Sequence, residues 1–139
     1  MGDRVLYQVH APAQNAFGPV VYAHWGGNDA PAVVRRLAAR MATRRGDVDY
    51  CTARLVQFVI EAADPDSNVG VGVWNTDHLL TADDSHGDAG VVLINAHDGT
   101  AQYIGGYYAD TGKMRSATEQ LNEHFYTVLQ RQSSSPTVG

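Results

Sequence analysis

Cysteine is nearly absent from this chain. Cys51 is the only one, so no disulfide can form within the chain and no thiolate cage can hold a metal. Glutamate is scarce too: only Glu61, Glu119 and Glu123 accompany twelve aspartates. Those aspartates sit mostly in turn-like surroundings, so no glycosidase-type carboxylate pair stands out. No apolar run approaches the roughly 18–20 residues that span a bilayer. The first residues, MGDRVLYQVH, lack the charged-then-apolar layout of a signal peptide. Charged residues make up 18% and the formal net charge is -5, which argues against broad binding to nucleic-acid backbones. The chain also lacks a GxSxG elbow, SxxK, CxxC, HExxH and the GxxxxGK[ST] phosphate loop. These absences lead to the expectation of a soluble, cytoplasmic protein with no cofactor, no resident metal and no membrane partner.

What is present describes one compact unit. At 139 residues with 44% apolar composition, the chain is long enough for a genuine core. Arg4 to His10 is rich in strand formers, with Val5, Tyr7 and Val9 on one face. Pro19 to His24 is short and apolar, as suits a central strand. The two strands are set to pair as a wide hairpin across Ala11 to Gly18. Asn28 or Asp29 caps a first helix with Pro31 in its first turn. Val33, Val34, Leu37, Ala38 and Met41 form its apolar stripe, and Gly46 closes it. Asp47-Val48-Asp49 opens a second helix to about Ala62, with Cys51, Leu55, Phe58, Val59 and Ala62 inward. Cys51 on that stripe reads as an inert buried thiol. Val69 to Trp74 alternates valine with glycine. Gly90 to Asn95 and Ala101 to Ile104 are strands joined by a tight turn at His97-Asp98-Gly99. Met114, Ala117, Leu121, Phe125 and Val128 repeat at helical spacing from about Thr111 to Arg131.

The expectation is therefore a single α+β domain over residues 1–132, in the order ββααβββα, with a disordered tail from 133 to 139. About five strands form a mainly antiparallel sheet carrying three helices.

The residues that suggest a site centre on VVYAHWGG, from Val20 to Gly27. A strand ends in His24 and Trp25, and Gly26 and Gly27 let the backbone turn or approach a ligand closely. The first amides of the following helix then face whatever lies before His24 and Trp25. Tyr50 and Arg54 share one face of the second helix. An aromatic face, a guanidinium and amide donors together suit an anionic, planar, nucleotide-like ligand. Five of the nine arginines fall between Arg35 and Arg45, a solvated basic face or a surface for an anion or an acidic partner. The segment Asn75 to Asp88 concentrates Asp77, His78, Asp83, Asp84, His86 and Asp88. Its spacing matches no calcium loop, so a solvated loop is the simpler reading.

VVYAHWGGNDAP followed by GDVDYCTARLV resembles a family of short phage and bacterial proteins. In that family a strand ends in His-Trp-Asp-Gly or His-Trp-Gly-Gly, and an acidic residue, tyrosine and arginine follow on the next helix. The matching residues are His24, Trp25, Gly26, Gly27, Asp47, Tyr50, Arg54 and, more loosely, Gly70 and Gly72. The resemblance implies a phage-type origin without an established activity. By analogy with small phage proteins, the function expected is non-enzymatic sequestration of a nucleotide-like ligand against host defence. The ligand site expected is His24, Trp25, Gly26, Gly27, Tyr50 and Arg54, with a homo-oligomer as a further expectation. Two alternatives stand beside it: a hydrolase using His24 with a loop carboxylate or metal, and an inhibitor that occupies a host protein.

Overall fold

The computed structural model describes residues 3–63 and 70–110. Among the described residues five strands form one mixed sheet: β1 Val5–Ala11, β2 Ala16–Ala23, β3 Val71–Trp74, β4 Gly90–Asn95 and β5 Ala101–Ile104. Two helices, α1 Ala30–Met41 and α2 Val48–Ala62, pack on it, giving an α+β fold. A helical turn at Tyr107–Asp110 follows β5. The helix expected from about Thr111 to Arg131, and the tail from 133 to 139, lie outside the described residues.

The strand order is β3-β2-β1-β4-β5. β1 pairs antiparallel with β2, β2 with β3, and β4 with β5. The central pairing of β1 with β4 is parallel, with Val5 beside Gly90 and Val9 beside Ile94. Three of the four pairings are antiparallel, in keeping with a mainly antiparallel sheet, and the parallel centre lies outside the expectation for a physical reason. Hairpin signals report only strands adjacent in sequence, whereas β1 and β4 are joined through both helices and β3.

The period-2 alternation of β1 assigns its two faces. Val5, Tyr7 and Val9 point toward α1 and α2, where they meet Val33, Leu37, Leu55 and Phe58. Leu6 points the other way and joins Val20, Val91 and Leu93. The chain between β3 and β4 covers that second face, with Leu80 buried against the same cluster. Gln8 lies on that face with no exposed surface. Its amide donates to Gly18 O at 3.0 Å and to His78 O at 3.2 Å, and its Oε1 accepts from Leu80 N at 2.7 Å. A buried amide is thus fully used, and it fastens the covering segment to the sheet. The solvated-loop reading of Asn75 to Asp88 consequently holds for only part of that segment.

Capping follows the local chemistry. Asp47 caps α2, accepting from Tyr50 N at 3.0 Å. Asp29 holds the N-cap position of α1 without a side-chain bond, and α1 ends at Met41, before Gly46. Gly46 adopts φ +82 in the turn into α2, a conformation that costs glycine little.

Candidate functional site: an exposed aromatic surface at the end of β2

His24 leaves β2 at its C-terminal end, donating its amide to Gly70 O at 2.8 Å. Tyr22 and His24 are two residues apart and so face the same side of the sheet, away from the helices. The Tyr22 hydroxyl and His24 Nδ1 share a hydrogen bond of 2.8 Å. Tyr22 is the hub of a ring cluster: its centroid lies 5.7 Å from Trp74, 5.9 Å from His86 and 6.3 Å from His24. Trp25 stands edge-on to His24 at 5.5 Å and 81°. Trp25 is 54% exposed and Trp74 44%.

The glycine-bearing strand explains how these rings fit. Gly72 lies opposite Tyr22, and its nearest foreign side chain is the Trp74 ring. Gly70 lies beside the His24 Cβ. The bare face of β3 therefore accommodates the protein's own rings.

The edge of this surface is electrostatically fixed. Arg4 Nε donates to Asp88 Oδ2 at 2.8 Å, its backbone amide to the same oxygen at 3.0 Å, and its Nη2 to His86 O at 3.0 Å. The hydrogen bond from Arg4 holds the Asp88 carboxyl below its usual range, and the same bond raises the guanidinium.

The amides expected to face a ligand already have partners. Gly27 N donates to Asp3 O at 2.9 Å, Asp29 N to Gly26 O at 3.1 Å, and Asn28 N to the Asp3 carboxylate at 2.9 Å. Tyr107 OH donates to the other Asp3 oxygen at 2.8 Å, and Tyr108 OH to Gly27 O at 2.7 Å. The anion that the helix entry attracts is therefore the chain's own Asp3. Gly27 permits this approach, since a Cβ there would collide with the Asp3 carboxylate and with Ala89. Burial, with the Asp3 bond second, pushes the Tyr107 hydroxyl well above its ordinary value.

Tyr50 and Arg54 belong elsewhere. They lie in the N-terminal half of α2, whose Val48 and Thr52 pack over Gly18 near the start of β2. Gly18 and His24 are six residues apart along an extended strand, about 20 Å. Arg54 Nε donates to Tyr50 OH at 2.9 Å and its Nη1 to Gln57 Oε1 at 2.7 Å. None of the contacts these two residues make among the described residues reaches His24 or Trp25. The structure thus groups His24, Trp25, Gly26 and Gly27 and separates Tyr50 and Arg54 from them.

The acidic segment is engaged structurally. His78 lies between Asp77 at 2.9 Å and Asp84 at 3.0 Å. Asp84 also closes a capping box with Thr81. Among the described residues no group of three or more His, Cys, Asp or Glu side chains is placed to hold a metal ion. No helix among them is long and apolar enough to cross a membrane.

Sequence reasoning missed Tyr22 as the partner of His24, and Trp74, His86, Arg4 and Asp88 as the residues around that pair. Tyr22 carried a usable signal, its i, i+2 spacing from His24 on one strand. The others arrive through β3 register and the return of the chain to β4. Comparisons with protein-family models, with curated proteins and with solved structures find no match.

Proposed function

We propose that this protein is a non-enzymatic binder that sequesters a small, anionic, nucleotide-like ligand, as a phage-type accessory protein acting against a host signal would. The observation that carries the reading is the continuous ring surface from Trp25 through His24 and Tyr22 to Trp74, exposed at both ends. Two exposed indoles linked through His24 and Tyr22 make one aromatic surface on which a planar ligand can stack. His24 and His86 supply imidazoles beside the rings, which can donate to an anionic group. The nearest carboxylates, Asp3 and Asp88, are bound to amides, Tyr107 and Arg4, which leaves them poorly placed for acid–base work. Tyr50 and Arg54 drop out of this site because they occupy a different surface.

The test is Trp25 fluorescence in a Trp74→Phe background, with acrylamide quenching, against cyclic nucleotides and ADP-ribose. The expected result is strong quenching in the free protein and protection by one nucleotide class, with matching heat in calorimetry. Accessible Trp25 with no response across the whole panel would overturn the reading.

A further inference from the structure

The outer face of α1 and α2 carries a second constellation, independent of the ring surface. Residues 30–62 hold six arginines against Asp47, Asp49 and Glu61, an excess of three positive charges in a chain of net charge -5. Arg36 and Arg40 lie one turn apart on α1, a rise of about 6 Å, and Arg44 follows in the turn beyond Met41. The Arg36 guanidinium lies 4.3 Å over the Phe58 ring and that of Arg44 lies 4.1 Å over Tyr50. Rings that back a guanidinium hold it in place while its N–H groups still reach solvent. Arg36 and Arg44 are each 51% exposed at the side chain. A groove of about 340 Å³ opens between Arg36 and Arg40, bounded by Ala39 and Phe58.

Charge complementarity calls for an acidic occupant, and the local detail selects its kind. Phe58 and Tyr50 are covered by guanidiniums, so they offer no open platform for a nucleobase, the contact single-stranded nucleic acid relies on. Glu61 pairs with Arg36, and Asp47 with Arg44. An extended polypeptide places alternate side chains about 6.6–6.8 Å apart on one face, close to the step from Arg36 to Arg40. We propose that this face docks an extended acidic segment of a partner protein, its alternate carboxylates meeting Arg40 and Arg36 in turn.

Fluorescence anisotropy of the full chain tests this with three labelled probes. They are a peptide with glutamate at every second position, a peptide of the same composition with its glutamates consecutive, and a single-stranded DNA of similar length. The alternating peptide should bind best, and its affinity should fall with added salt. Arg40→Glu should weaken it by about tenfold or more, and Arg40→Gln should weaken it less. Arg45→Glu makes the same change in net charge away from the Arg36–Arg40 step and should have a much smaller effect. Unchanged melting of each variant keeps folding out of the comparison. The proposal is overturned if the alternating peptide fails to bind, or if DNA or the clustered peptide binds as tightly. It is equally overturned if Arg45→Glu weakens binding as much as Arg40→Glu.

Discussion

Replacing Gln8 with leucine tests whether one buried amide holds the covering segment on the sheet. The two side chains are similar in size, so the exchange leaves little cavity. It strips the partner from Leu80 N, the donor from Gly18 O and the donor from His78 O. The Leu80 amide and Gly18 carbonyl lie in buried surroundings, and each buried group left unsatisfied costs about 1–3 kcal/mol. His78 O is only partly buried and can turn to water, so it adds little. The added apolar contact returns part of the loss, because burying a leucine contributes about 1.5–3 kcal/mol. The net expectation is a destabilisation of about 1–3 kcal/mol in urea unfolding. Hydrogen exchange gives the more specific readout: the Leu80 amide should exchange far faster in the variant while β1 and β4 amides keep their protection. A variant as stable as the parent, with Leu80 still protected, would refute the reasoning.

Three further outcomes follow from single sites. NMR titration should place His78 above the ordinary histidine value, because Asp77 and then Asp84 bond its ring, and His10 below it, because of burial. The signs differ: stability from His78 is complete below its unfolded value and is lost as pH rises through the raised folded one, whereas His10 costs stability as pH falls below its unfolded value. His78→Gln should therefore flatten the decline in stability as pH rises from the ordinary histidine value through the raised one, and an unchanged pH profile would count against the pairing. Cys51 is fully buried and its thiol is pushed up to about 12, chiefly by burial. A thiol reagent should therefore label it only as fast as the protein unfolds, and fast native labelling would contradict its placement. Asp47→Ala removes the α2 cap and the Arg44 partner. It should cost about 1 kcal/mol in urea unfolding, and a change near zero would mean the cap is not formed in solution.

The local grammar of the fold was readable because the signals are local. Asp98-Gly99 between two apolar runs fixed the β4–β5 hairpin, and Asp47 ahead of a 3.6-residue stripe fixed the start of α2. The parallel β1–β4 pairing was not readable, since two apolar strands carry no mark of which partner each will take. The candidate site divides the same way. His24 and Trp25 stood out because a strand ends in two rings and two glycines. Linking them to Tyr50 and Arg54 required a tertiary distance, and helix direction decides that distance. α2 begins over Gly18, so its first turns lie at the far end of β2 from His24. The inviting helix amides misled for a related reason. Their partner, Asp3, lies 25 residues earlier than Asn28, and nothing near Gly27 in sequence announces it. An anion-attracting helix entry in a chain rich in aspartate meets its own carboxylates at high local concentration before it meets a ligand. At this site the ring surface, whose stacking faces Asp3 cannot fill, is accordingly a stronger pointer to binding than the amides beside it.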